Sequence, residues 1–143
     1  MIQSLGFPKN LQQIFSKEAA GGGGDEVCAV LVGTSRNLSG IIEEVRMVKN
    51  IAPDKCAGFM MDPVDFLNAV EDTTLYERNA SKEYIGIIHS HFYDRPYPSI
   101  ADWAGANDGR LYHGAYVIYG VHHEQFLSYF WNGLEFRRME ILD

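Results

Sequence analysis

The chain has few cysteines, no long apolar run and no excess of positive charge. Its two cysteines, Cys28 and Cys56, are too few for a disulfide framework and lack the CxxC spacing of a structural zinc site or redox motif. No segment approaches the ~20 apolar residues needed to cross a membrane. A formal net charge of -7 gives no basic footprint for nucleic acid. We therefore expect neither a membrane nor a nucleic acid as a partner.

Length and composition predict one folded domain over residues 1–143. A chain of this size buries roughly two-thirds of the surface that its unfolded state exposes, and a hydrophobic content of 46% argues against disorder. The first nine residues lack the apolar core of a secretion signal. A cytoplasmic location is the resulting expectation.

Hydrophobic periodicity predicts interleaved helices and strands. Helices are expected before the glycine run at 21–24, after the N-cap Asp62, and from Ser99 onward. Strands are expected at 27–34, 41–48, 84–88, 115–121, 126–131 and 134–139, with Asn132-Gly133 as a hairpin turn. This order predicts an α+β fold with mainly antiparallel strands.

The sequence His89-Ser90-His91 ends one of these predicted strands. Side chains two residues apart on a strand project to the same face, so both imidazoles can meet one ion. Asp102 falls in the first turn of the helix that we expect from Ser99. Two nitrogens and one oxygen would leave the fourth position of a tetrahedral zinc for water, as in a catalytic site.

Each part of this pattern also has an ordinary structural interpretation. A pair of histidines at a strand end is weak evidence for a metal when taken alone. Ser99-Ile100-Ala101-Asp102 is also a variant of the capping box that begins many helices. The two interpretations are compatible, because a capping serine can still aim its hydroxyl at a substrate.

The whole spacing of His89, His91, Ser99 and Asp102 resembles the HxH(x7)Sx2D signature of the JAMM (MPN-type) zinc metallopeptidases. Residues 25–33 resemble the upstream ExCGxLxG stretch of that family, with Ala29 where glycine is usual. Residues 50–52 and 59–63 are similar to a link found in short prokaryotic members. The resemblance thus covers nearly the whole chain.

This resemblance implies a site, a fold and an activity. One zinc ion per chain would be bound by His89, His91 and Asp102, with Glu26 as general acid/base and Ser99 steadying the oxyanion. The fold would be a cytidine-deaminase-like α/β/α sandwich with a mixed, mainly antiparallel sheet. The activity would be a metallopeptidase or isopeptidase that cleaves after the C-terminal Gly-Gly tail of a ubiquitin-like or sulfur-carrier protein, without an acyl-enzyme.

Other functions remain open at this stage. The same four groups would serve a zinc hydrolase of a small amide, and relatives that have lost the ligands act as non-catalytic scaffold modules. A narrow pocket would favour the small amide, and an open groove would favour a protein tail. The oligomeric state is also open, with a homodimer among the alternatives.

The residues around the motif carry further expectations. Phe92 stands where most members have proline, which changes the substrate channel but supplies no ligand, and 92–94 does not fit the RadC-like branch. Tyr93, Arg95, Tyr97 and Trp103 either bind an extended substrate or pack the loop.

Several other polar residues have no expected part in the chemistry. Glu43 and Glu44 are competing upstream acids that we expect to be solvated. The remaining histidines, His113, His122 and His123, lack a companion ligand cluster, so no second metal site is expected. The short run from 103 to 115 leaves no room for a zinc-binding insertion.

Overall fold

A computed structural model describes residues 2–107 and 114–143, in which a curved sheet is flanked by helices. These residues form seven strands and three helices, in the order β1 (Ser4–Gly6), α1 (Lys9–Ala20), β2 (Cys28–Arg36), β3 (Ser39–Val48), α2 (Pro63–Val70), β4 (Glu83–His91), α3 (Ile100–Asn107), β5 (Ala115–Gly120), β6 (Gln125–Trp131) and β7 (Phe136–Leu142). The predicted α+β class is confirmed.

The strands close into a barrel in the order β1-β3-β2-β4-β5-β6-β7. Within the described residues, four pairings are antiparallel, and β1 with β3, β1 with β7 and β4 with β5 are parallel. The mixed sheet is therefore as predicted. The cytidine-deaminase-like α/β/α sandwich is not confirmed, because β1 pairs on both sides and closes the sheet on itself. A strand of three residues is too short to show the two-residue periodicity that reveals strands in a sequence.

Buried side chains form two hydrophobic cores among the described residues, one beside α1 and one beside α2. The first core includes Leu5, Phe7, Phe15, Leu31, Ile42, Ile85, Ile88, Val117 and Met139. The second core includes Val30, Val32, Val48, Met61, Val70, Ile87, Tyr116, Ile118 and Leu127. Neighbouring residues of a strand point to opposite faces, so each face of the sheet has a core of its own.

A β-bulge in β4 decides which face the two histidines occupy. Leu31 pairs with Gly86 and Val32 with Tyr84, which leaves Ile85 as an extra residue. Beyond the bulge, Ile88 joins the first core and Ile87 joins the second. Continued alternation carries His89 and His91 onto the α2 side of the sheet.

Local signals located the starts of α2 and α3 well and the turns less well. The Asp62 carboxylate accepts from the Asp65 N–H at the start of α2, as expected of an N-cap. The Asn132-Gly133 hairpin has a four-residue loop rather than two, because strand pairing stops at Trp131 and Phe136. The Asn132 side chain accepts from two backbone N–H groups of that loop.

The structure bears on the expectations for the cysteines and for a membrane span, but not on the single domain. Cys28 is buried as predicted and Cys56 is exposed, and both are free thiols. No helix in the described ranges is long and apolar enough to span a membrane. The single domain over residues 1–143 stays a prediction.

Close approach of β4 and β5 depends on Gly86, and this gives a stability test. A Cβ on Gly86 would lie 2.1 Å from the Ala115 carbonyl oxygen. We expect Gly86→Ala to lower the free energy of unfolding by about 3 kcal/mol, because the backbone of β5 must move. Gly105→Ala is the control, since a Cβ there meets nothing within 4 Å. Urea denaturation that finds the two variants equally stable would contradict this close packing.

Candidate metal centre

His89 and His91 direct their rings from the end of β4 to one point. Both side chains are buried, and their Nε2 atoms are 3.2 Å apart. The same-face arrangement expected from their spacing is therefore present. The ring of His89 also stacks on Phe59, with ring centroids 4.4 Å apart.

Asp102 lies in the first turn of α3 and faces both imidazoles. Its Oδ1 is 3.2 Å from His89 Nε2, and its Oδ2 is 3.4 Å from His91 Nε2. Ligand atoms around a tetrahedral zinc are about 3.3 Å apart when the metal–ligand bonds are about 2.0–2.1 Å. Each of these separations is close to that spacing, with each Asp102 oxygen facing a different imidazole.

Glu26, two residues before the start of β2, completes a buried cluster of four groups. It is 8% exposed, and its Oε1 is 3.8 Å from His89 Nε2. Ser90 holds Glu26 in place through Val27, the next residue in the chain. The Ser90 N–H donates to the Val27 carbonyl, and the Val27 N–H donates to Ser90 Oγ, both at 2.9 Å. We call Glu26, His89, His91 and Asp102 the His/carboxylate cluster.

The cluster offers more than one set of metal ligands. Glu26, His89 and His91 each present an atom within 4.8 Å of the other two. Asp102 makes shorter contacts with both imidazoles than Glu26 makes with His89. The structure thus brings Glu26 together with the two imidazoles, and the ligand set His89, His91 and Asp102 stays a prediction.

Burial and mutual attraction perturb the titration of the cluster. Burial raises the pKa of Glu26, although the imidazoles of His89 and His91 oppose it. Burial would also raise the pKa of Asp102, but the two imidazoles and the Tyr116 hydroxyl outweigh it and hold that pKa well below its usual range. Burial would lower the pKa of His91, yet Asp102 and the Arg95 carbonyl raise it. Two buried carboxylates beside two imidazoles make a site that favours a cation.

Ser99 forms the capping box that its sequence suggested. Its Oγ accepts from the Asp102 N–H at 3.1 Å, and its own N–H donates to Asp102 Oδ2 at 2.7 Å. The hydroxyl also donates to the same Oδ2 at 3.0 Å. In this state its one proton points to Asp102, so the oxyanion role of Ser99 stays a prediction that requires the hydroxyl to turn.

Comparison with known proteins identifies the family of the chain. Residues 8–132 match the Prok-JAB family, the prokaryotic homologs of the JAB domain. The chain belongs to this family.

Solved structures share the fold of this JAB-family chain. A protein from Desulfitobacterium hafniense, known from its solution structure, superposes with a TM-score of 0.73 at 23% identity, over 99% of this chain and 92% of that one. A JAB1/MPN domain protein from Archaeoglobus fulgidus superposes with a TM-score of 0.56 at 16% identity, over 99% of this chain and 100% of its own. No curated protein matches the sequence. At these identities the likeness concerns the fold alone.

The two imidazoles of the His/carboxylate cluster are held in different ways. The Nδ1 of His91 lies 2.9 Å from the Arg95 carbonyl oxygen. A neutral ring that donates there keeps the lone pair of Nε2 facing the cluster, which is how histidine ligands are commonly oriented. The Nδ1 of His89 is buried without a hydrogen-bond partner in the described ranges, and the ring packs against Phe59 and Tyr116.

Tyr116 contacts the cluster but had no expected role. It lies in β5 and donates its hydroxyl to Asp102 Oδ1. A sequence signal existed, because a tyrosine within an apolar strand needs a partner for its hydroxyl when buried. The sequence could not name that partner, which lies fourteen residues away on another element.

Asn50 is a second residue whose role was not expected, although its segment resembles the family. Its Nδ2 donates to the Glu26 carbonyl at 2.8 Å and to the Gly58 carbonyl at 3.2 Å. Its Oδ1 accepts from the N–H groups of Ala52 and Met60 at 2.9 and 3.0 Å. One side chain thus ties the backbone of Glu26 to the loop at 51–60.

The same loop reaches the cluster at two other points. The Glu26 N–H donates to the Lys55 carbonyl at 2.6 Å. Phe59, carried by this loop, stacks on His89. The loop therefore holds the backbone of Glu26 in place and covers one face of the His89 imidazole.

The aromatic residues around the site divide into two groups. Trp103 packs edge-on against Trp131 and Phe136, with centroids 5.4 Å apart in both pairs. Tyr93 and Tyr97 remain 72% and 52% exposed. Trp103 thus packs locally while it remains 37% exposed, the two tyrosines present more open surface, and substrate binding by these residues stays a prediction.

The other polar residues show no second metal site in the described part of the chain. His122 and His123 are exposed in a turn and join no group of three metal-ligating side chains there. Glu43 is exposed and Glu44 pairs with Arg46 at 3.0 Å, as expected of solvated acids. His113 lies outside the described residues, as do residues 108–112 in the run from 103 to 115.

The hydrogen bonds of Asn50 give a test of how the loop is held. We expect Asn50→Ala to lower the free energy of unfolding by about 2 kcal/mol, because several partly buried backbone groups lose their partner. Amide hydrogen exchange at Ala52 and Met60 should become faster. Asn68→Ala on the exposed side of α2 is the control and should change stability by no more than ~0.5 kcal/mol. Unchanged exchange at Ala52 and Met60 in Asn50→Ala would show that the loop is held by other contacts.

Proposed function

We propose that this chain is a zinc-dependent metallopeptidase or isopeptidase. The observation that carries the proposal is the convergence of two imidazole nitrogens and an Asp102 carboxylate at 3.2–3.4 Å, with a second buried carboxylate beside them. Membership of the JAB family supports it. Buried carboxylates cost free energy unless they are paired or bind a metal, so two of them beside two buried imidazoles argue for a function.

The donor set fits zinc. Zn²⁺ takes imidazole nitrogen and carboxylate oxygen ligands, and three protein ligands leave a position open in catalytic sites. His89, His91 and Asp102 would hold the ion. When bound, zinc would polarise the scissile carbonyl and make a water molecule more acidic.

Glu26 would move the protons of the reaction. Its carboxylate lies within 4 Å of His89 Nε2 and keeps a raised pKa through burial. A carboxyl group with a raised pKa can take a proton from the attacking water and return it to the leaving amine. Ser99 would donate its hydroxyl to the oxyanion after turning from Asp102.

The substrate in this proposal is the C-terminal Gly-Gly tail of a ubiquitin-like or sulfur-carrier protein. The family resemblance supports this choice, and the exposed Tyr93 and Tyr97 offer aromatic surface to an extended chain. A cytoplasmic location belongs to the same proposal and is supported by the two free thiols.

Metal content tests the ligands. Purified protein should hold about one zinc ion per chain, and His89→Ala should lose it because a three-ligand site cannot spare an imidazole. His122→Ala is the matched control and should retain the metal, since His122 is exposed in a turn. Elemental analysis that finds no zinc in the wild type, or equal zinc in His89→Ala, would remove the basis of the site.

Replacement of Glu26 tests the acid/base role. Glu26→Gln should keep zinc but lose hydrolysis by about 10²–10⁴-fold, because the amide cannot carry the proton. The assay follows cleavage of a ubiquitin-like protein joined through its Gly-Gly tail to a reporter. Glu43→Gln, at an exposed acid, should keep full activity. Wild-type protein that hydrolyses a short Gly-Gly amide but leaves the fusion intact would favour the small-amide alternative.

A further inference from the structure

Tyr116 is the one phenol that the structure places in contact with the His/carboxylate cluster within the described ranges. We propose that its hydroxyl is a positioning group that holds Asp102 in the orientation needed to bind metal. The inference rests on the proposed zinc site but concerns a residue outside its ligands and its acid/base.

The position of Tyr116 follows from the pairing of β4 and β5. Tyr116 is in register with Ile87, two residues before His89. It is 1% exposed, and its ring centroid is 5.2 Å from that of His89. Its hydroxyl donates to Asp102 Oδ1. The strand that flanks the histidines therefore supplies a hydrogen bond to the carboxylate that faces them.

The Asp102 carboxylate is held at both of its oxygens. Ser99 donates its N–H and hydroxyl to Oδ2, and Tyr116 donates to Oδ1. The Ser99 bonds are local to one helical turn and fix a single oxygen. A carboxylate fixed at one oxygen can still rotate, whereas a second anchor from β5 sets its plane relative to His89 and His91.

A purely structural role would have a different signature. A buried tyrosine hydroxyl usually finds a hydrogen-bond partner, and Asp102 could be no more than that partner. In that case the hydroxyl would stabilise the metal-free and metal-loaded forms alike and leave the dissociation constant for zinc unchanged. If the hydroxyl positions Asp102, its removal raises the dissociation constant for zinc, because the freed carboxylate must then be ordered when metal binds.

Tyr116→Phe separates these roles while it keeps the ring that packs on His89. We expect the Kd for zinc, measured by competition with a chromophoric chelator, to rise about 10-fold or more, as for other groups that orient metal ligands. Tyr119→Phe is the matched control on the same strand, because Tyr119 joins the first core on the opposite face. Its Kd should equal that of the wild type.

Cobalt gives a spectroscopic test of the same point. In the Co²⁺-loaded protein, Tyr116→Phe should shift the visible ligand-field bands because the Asp102 oxygen moves, and Tyr119→Phe should not. A wild type that binds neither ion would refute the proposed function itself. A wild type that binds zinc with the same Kd as Tyr116→Phe would overturn only the role of Tyr116.

A further measurement needs no substitution, in case Tyr116→Phe does not fold. The Tyr116 hydroxyl proton in the zinc-loaded wild type should exchange slowly with water in NMR spectra, since it is buried and donated to Asp102. Rapid exchange of that proton would overturn the inference.

Discussion

The Asp102 carboxylate lies out of water between two imidazoles, a phenol and a serine, and the surrounding fold supplies each of these partners. A buried carboxylate without partners would be strongly unfavourable or would stay protonated. Here its pKa is held well below the usual range by the imidazoles and the Tyr116 hydroxyl, against the effect of burial. The ionised Asp102 carboxylate is therefore stable only while β4, α3 and β5 keep their relative positions.

The parallel pairing of β4 and β5 is what brings those elements together. Parallel neighbours need a crossover connection, and α3 lies in that connection. The crossover carries Asp102 over the ends of the histidine side chains, while Tyr116 enters from β5. Two contacts hold the segment between β4 and α3. His91 contacts the Arg95 carbonyl, and Tyr129 donates to the Pro96 carbonyl at 3.0 Å.

The sequence predicted the parts of this site that depend on local geometry. Period-two spacing placed His89 and His91 on one face, and the Ser99–Asp102 capping pattern is present. The partners supplied by distant elements could not be predicted in the same way. Tyr116 and Asn50 are polar residues whose partners Asp102 and Glu26 become neighbours only through the register of the strands and the path of the chain between them. Closure of the barrel was missed for a related reason, since β1 gains its role from pairing rather than from its own pattern.

Ser99 shows how a cap and the proposed catalytic hydroxyl can be the same group. The cap uses the lone pair of Oγ, which accepts the Asp102 N–H, whereas an oxyanion would need the hydroxyl proton. That proton now goes to Asp102 Oδ2, but the Ser99 N–H already donates to the same oxygen at the shorter distance of 2.7 Å. The hydroxyl can therefore rotate toward a substrate without leaving Oδ2 unpaired or the helix uncapped. Because the two roles draw on different parts of one hydroxyl, helix capping does not argue against the oxyanion role.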